Sequence, residues 1–261
     1  MARRPPEFPD CASAQWIGKR STQEDAVKSL PVAGGMLGIV CDGMGGHLHG
    51  ADASGVVSAA FAAAFEASGQ ESVPARLAEA LQAANQALAA RQREPEESGT
   101  TLLAVFIREH CLWWISVGDS PLYLWSGADC FKMDRLNEDH SMRPIADNLY
   151  WKGAMSLQRA LRQRCVLRSA VMGSPVELVD VSEEPLVLHP GDAVLACSDG
   201  LQVWCELLRE PSFRALQQAR DLSSRALVET VMEQVKDMLE PQQDNASVWA
   251  AVMRRADVEN H

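Results

Sequence analysis

Five acidic sites, one of them a Glu-Asp pair, stand beside short apolar runs, and most are followed by a small or flexible residue. Asp42 closes MLGIVCD and precedes Gly43. Asp119 closes CLWWISVGD. Asp199 closes AVLACSD and precedes Gly200. Asp244 immediately precedes ASVWAAVM, and Glu24–Asp25 stand in RSTQEDAV. A single aspartate at a strand end is ordinarily a turn or cap residue. Repetition at so many strand ends points to chemistry instead. Neighbouring carboxylates raise one another's pKa and repel unless a cation neutralises them. Hard oxygen donors at this density suit Mg2+ or Mn2+ rather than zinc. A glycine after the aspartate lets backbone and solvent approach an ion closely.

The stretch CDGMGGHLHG (41–50) invites a second reading, a nucleotide cradle. A Walker loop needs Gly-Lys followed by Ser or Thr, and no lysine occurs here. The dinucleotide fingerprint fails too, because Leu48 stands where its third glycine should be. His47 and His49 could bind a metal, but alternating loop histidines are usually solvent-facing. The seven cysteines include no CxxC pair, so a zinc site lacks its spacing. Cys41, Cys111 and Cys197 lie in apolar runs and read as buried free thiols of a reducing, cytoplasmic compartment.

The elements that must carry these residues are legible as patterns. Residues 36–42, 101–108, 111–118, 121–126, 193–198 and 246–253 are short apolar runs that read as buried strands. Only Glu109 and His110 separate the second run from the third, which is hairpin spacing. Residues 51–67, 74–92 and 225–239 repeat apolar side chains at helical spacing, and Pro74 sits at a first-turn position. Strands in runs with helices grouped between them predict an α+β layered sandwich, not a doubly wound parallel sheet. The segment 141–169 is basic and helix-prone, and reads as an insertion. Residues 1–10 read as a loose tail without the apolar core of a secretory signal.

The 261 residues, 47% hydrophobic, suffice for one large domain or two small ones. A net charge of −11 argues against nucleic-acid binding. No apolar run is long enough to cross a membrane.

Taken in order, GKRSTQEDAV, VCDGMGGHLHGADAS, SGTTLLAVF, SVGDSPLYLW, EDHS, VLRSAVMG, LACSDGL and DNASVWAAV resemble the protein phosphatase 2C family, especially its compact bacterial members. The resemblance runs from about Ala14 to Met253. It implies a single domain: a four-layer α-β-β-α sandwich of two antiparallel sheets flanked by helices. It implies two Mn2+ or Mg2+ ions, with a third in bacterial members. Asp42 would bridge the two. The Gly43 carbonyl and Glu24 would serve one ion, Asp199 and Asp244 the other, and Asp119 with Asp199 the third. Asp25 would hold water, Arg20 would bind the substrate phosphate, and 141–169 would be the flap beside the site. The implied activity is hydrolysis of phosphoserine and phosphothreonine in proteins by a monomeric enzyme, opposing a Ser/Thr kinase pathway.

The chemistry is coherent without the family. Two cations about 4 Å apart can share a water and lower its pKa for in-line attack on phosphorus. Departures from the pattern touch selectivity more than ligands. Gln23 replaces the usual Asn, and Pro121 replaces the usual arginine after Gly-Asp-Ser. QVW follows Leu201 where an acid is usual, and Met44 stands where some eukaryotic members have histidine. The competing expectations are a catalytically dead binding module and a phosphomonoesterase for small molecules.

Overall fold

The computed structural model describes residues 9–45, 48–92, 98–128 and 132–254. Twelve strands form among them: β1 Asp10–Trp16, β2 Asp25–Val32, β3 Gly35–Met44, β4 Gly99–Thr100, β5 Leu102–Arg108, β6 Cys111–Val117, β7 Leu122–Trp125, β8 Asp134–Arg135, β9 Asp180–Val181, β10 Leu186–Val187, β11 Ala193–Cys197 and β12 Ala246–Val252. Seven helices accompany them: α1 Leu48–Ala67, α2 Val73–Arg91, α3 Arg143–Trp151, α4 Leu157–Gln163, α5 Gln202–Leu207, α6 Glu210–Leu222 and α7 Ser224–Asp237.

The strands make two antiparallel sheets. One has the order β1-β12-β11-β7-β8, the other β10-β6-β5-β3-β2 with β4 and β9 attached. Three apolar layers separate four structural ones. Val40, Leu103, Val105, Val194 and Trp249 fill the space between the sheets. Phe61, Phe65, Leu77 and Phe106 seal α1 and α2 onto the larger sheet. Trp125, Leu195, Leu227 and Val231 seal the C-terminal helices onto the smaller one. This is the expected α-β-β-α sandwich. It explains why β5 and β12 read as unbroken apolar runs: a strand covered on both faces has no polar side.

The hairpin between β5 and β6 turns through Glu109 and His110, with Arg108 opposite Cys111. Two expectations change. Asp10, expected in the loose tail, opens β1, and its carboxylate accepts hydrogen bonds from the Ser224 amide and hydroxyl; residues 1–8 of that tail lie outside the described residues. Cys41 and Cys197 are buried, but Cys111 is only half-buried, because it flanks the exposed hairpin turn. Segment 141–169 folds as α3 and α4, packed on each other. A Ser141–Leu167 bridge closes it, and Arg143 ties it to Glu206 of α5 at 2.8 Å. No described helix is long and apolar enough to cross a membrane.

Trp249 is fully buried between the sheets and donates its indole N–H to Ser29 Oγ at 2.9 Å. Gly38 lies against its ring, where a Cβ would collide with it. Gly38→Val is expected to lower unfolding free energy by about 1–3 kcal/mol through overpacking, read from the midpoint of urea unfolding. An unchanged midpoint would show that the inter-sheet packing yields at this point.

Candidate metal centre

The strand register places the first two carboxylates. In the β2–β3 pair Asp25 stands directly opposite Asp42, so their side chains share one face of the sheet. Like charges facing each other across a ladder are unfavourable, and the fold imposes the arrangement by fixing the backbone on both sides. The Asp42 amide donates to Thr101 Oγ1 at 2.9 Å. Its carbonyl accepts from the Thr101 amide and the Thr100 hydroxyl, each at 2.9 Å. Thr101 Oγ1 also bonds Ser120 Oγ at 2.8 Å, beside Asp119. Two neighbouring threonines thus couple the ends of β3 and β6.

Asp25 is buried at the junction of the two sheets. Its Oδ2 accepts from the Ser198 hydroxyl at 2.8 Å, and its Oδ1 is buried without a partner in hydrogen-bonding geometry. Ser198 in turn accepts from the Ser247 amide at 2.9 Å. The end of β11 is thereby fixed to the start of β12, and Asp199 and Asp244 extend from these two ends. Gly118 (φ +104°) makes the turn that presents Asp119. The His140 amide and ring, bonded to the Gly118 carbonyl and amide at 3.0 and 3.3 Å, hold that turn. Arg135 donates to the Asp119 carbonyl at 2.9 Å.

The remaining expected residues ride on the loop 17–24. Asn245 is buried and clamps it: its Oδ1 accepts from the Glu24 amide at 2.7 Å, and its Nδ2 donates to the Ile17 and Thr22 carbonyls at 2.8 and 3.1 Å. Two glycines permit the close approach. Gly18 (φ +66°) lies against the Asp244 backbone, and a Cβ on Gly50 would come 2.9 Å from Glu24 Oε2. Arg20 donates to Asp244 Oδ2 at 2.5 Å. The expected phosphate-binding guanidinium therefore faces an expected metal ligand.

Asp42, Asp119 and Asp199 line one cavity of about 400 Å3 with Thr101, Met44 and Arg168. Asp244 reaches far enough to raise the pKa of both Asp25 and Asp199. Burial is the largest influence throughout, with neighbouring carboxylates adding to it. It pushes Asp25 up to about 6 and Asp119 up to about 7, and it also raises Asp42 and Asp199. Asp42 and Asp199 act on each other directly, and the Asp199 carboxylate adds to the rise at Asp42. Among the described residues no three His, Cys, Asp or Glu side chains close into a ready-made cation cage. The donor set still fits a hard divalent cation. Such ions keep several waters and need only one or two carboxylates each. The unpartnered Asp25 Oδ1 and the raised pKa values mark a crowded, desolvated carboxylate cluster that resists ionisation.

The sequence singled out the carboxylates but not their supports. Thr100, Thr101, Ser198, His140, Arg135 and Asn245 were missed as functional residues. Their only signal was a polar residue at the buried end of an apolar run, as in SGTT and DNAS. His49 is exposed in the first turn of α1, and His47 lies outside the described residues.

A sequence profile described as protein phosphatase 2C matches residues 15–243. The chain belongs to that family. It is 33% identical over 187 residues to the serine/threonine protein phosphatase PstP of Mycobacterium tuberculosis, covering 70% of this chain and 34% of PstP. The chain thus spans about a third of the length of that curated relative. Among solved structures it is similar to the PPM Ser-Thr phosphatase MsPP of Mycobacterium smegmatis, in complex with cacodylate (TM-score 0.69, 30% identity, 93% of this chain and 97% of that one). It is also similar to the catalytic domain of PstP in complex with two manganese ions (TM-score 0.72, 26% identity, 94% and 98%).

The acidic cluster predicts an unusual pH response. In chelator, Asp25 and Asp119 stay protonated in the folded chain up to about pH 6 and about pH 7, whereas unfolded aspartate releases its proton near 3.8. The folded state then binds more protons across that window, so stability falls as pH rises through it. The thermal midpoint in chelator is expected to be higher near pH 5 than near pH 8. A higher midpoint near pH 8 would contradict the crowding.

Proposed function

We propose that the chain is a single phosphatase domain that hydrolyses phosphoserine and phosphothreonine in proteins, using two or three Mn2+ or Mg2+ ions. The observation that carries this reading is the convergence of Asp42, Asp119 and Asp199 on one cavity, with Asp25 buried behind them. Family membership and the manganese-bound relative support it. Asp42 would serve both principal ions. Glu24 and the Gly43 carbonyl would complete one, Asp199 and Asp244 the other, and Asp119 with Asp199 would serve a third. When bound, such ions supply a water activated at neutral pH and offset charge on the phosphoryl oxygens.

The chain's own residues do the rest. Asp25 is held through Oδ2 by Ser198, which leaves Oδ1 to accept a hydrogen bond from water and so orient it. Arg20, released from Asp244 when a cation takes that carboxylate, would bind two phosphoryl oxygens through its planar fork. Thr101 and Asn245 keep the carboxylates and the Glu24 loop in place. Cys165, Leu167, Arg168 and Ser169 of segment 141–169 wall the cavity, which is the place expected of a flap. A phosphoprotein of a Ser/Thr kinase pathway is the substrate class, and a monomer in the cytoplasm of a bacterium is the setting that fits the family resemblance and the free thiols.

Purified chain with millimolar Mn2+ is expected to hydrolyse p-nitrophenyl phosphate and a phosphothreonine peptide. Asp42→Asn should lower the rate by at least about 100-fold, the scale on which removing a stabilising group in an active site acts. No turnover above that variant would leave a binding module, with Mn2+ calorimetry reporting whether it still takes metal. A kcat/KM for a small phosphate ester that exceeds the peptide's would shift the reading to small-molecule hydrolysis.

A further inference from the structure

A second cavity, of about 420 Å3, lies at the opposite end of the five-stranded sheet. It opens where β12 ends (Val252), where β11 is about to begin (Gly191) and where α6 turns into α7 (Leu222 and Ser223). The seven residues of β12 separate it from Asp244 by roughly 20 Å at the rise of an antiparallel strand.

Arg220 lines this cavity and is 2% exposed. Its guanidinium lies over the Trp125 ring, 4.3 Å from the centroid. Its Nε has no hydrogen-bond partner, and Nη1 reaches only the Ser126 carbonyl at 3.5 Å. The Asp221 carboxylate stands 3.6 Å from Nε without forming a hydrogen bond, and that side chain is 61% exposed. Three other arginines also have an unpartnered Nε, but each is anchored elsewhere. Arg76 bonds the Phe65 carbonyl at 2.7 Å, Arg143 bonds Glu206 at 2.8 Å, and Arg164 bonds Asp147 at 3.0 Å. Arg220 is more buried than these and less satisfied.

A guanidinium stays charged at all accessible pH values and carries five donors. Burying it with one long hydrogen bond and one loose, exposed ion-pair partner leaves most donors unused, which is costly unless something else supplies acceptors. The other carboxylate of the cavity, Asp10, is already engaged: it accepts from the Ser224 amide at 3.0 Å, the Ser224 hydroxyl at 2.9 Å and Arg254 at 3.1 Å. Arg254, paired with Asp10, stands at the rim, while Val252, Met253 and Leu222 give apolar wall.

We propose that this cavity is a binding site for a small oxyanion, carboxylate or phosphate, carried on a compact apolar body, with Arg220 as its main ligand and Arg254 at its rim. The site is separate from the carboxylate cavity and does not depend on the phosphatase reading.

The test uses the whole chain in chelator, so that the carboxylate cluster carries no metal to attract anions. Orthophosphate and benzoate are titrated separately while 1H–15N spectra follow the amides of Gly191, Ser223 and Arg254 and the indole N–H of Trp125. Saturable shifts at these four groups with either probe are expected, and the stronger probe identifies phosphate or carboxylate as the preferred head group. Arg220→Met should weaken binding at least about tenfold through loss of charge-assisted hydrogen bonds. If that variant does not fold, Arg220→Lys keeps the charge but loses the planar fork, and should also weaken binding. Unsaturable drift at these groups, shifts confined to Asp42 and Thr101, or equal affinity in a folded Arg220 variant would each overturn the proposal.

Discussion

Negative charge is forced together where the two sheets meet, and much of the polar structure serves to withstand it. Asp25 and Asp42 face each other across one strand pair, and Asp199 arrives from the other sheet. In a partly dry environment such groups repel more strongly than in water, and they hold protons well above the ordinary aspartate range. A chain free to relax would splay them apart. It cannot, because the backbone on both sides of Asp42 is bonded to Thr100 and Thr101, and Ser198 bonds the Asp25 carboxylate. Backbone geometry fixed by three apolar layers outweighs local electrostatics.

The supporting groups fall into two sets with different physical roles. Thr101, Ser120 and His140 act at the ends of β3 and β6, where they satisfy buried backbone or hydroxyl groups that would otherwise be stranded. Asn245 and the glycines act on the loop 17–24, which has little apolar surface of its own to anchor it. A buried amide with three strong bonds does for that loop what a core side chain does for a strand. The Arg20–Asp244 pair is of a third kind. It is half-exposed, screened by solvent and readily exchanged.

Legibility in the sequence followed burial. β3, β5, β6, β11 and β12 were found because strands covered on both faces are continuous apolar runs. β1 and β2 were not, because their half-exposed residues, as in DCASAQW and DAVKSLPV, show no clean alternation. α6 escaped because its thirteen residues mix charges with few large apolar groups, and only Phe213 and Leu216 of those face the core. The same logic governed the site. Aspartates at the ends of apolar runs stood out by contrast with their neighbours. Asn245, Ser198 and Thr101 look ordinary until the chain is folded.

By itself, the sequence determined the donor set, the apolar runs that become central strands, and the absence of cradle motifs for nucleotides. These are local properties, carried by residue type and spacing within a few positions. Tertiary structure alone decided which donors share a cavity, that Arg20 meets Asp244 across 224 positions, and that Ser198 meets Asp25 across 173. It also decided that Arg220 is buried with its Nε unbonded. The physical reason is common to all four: each depends on where distant backbone segments are brought by the packing of two sheets, and no local pattern records that distance.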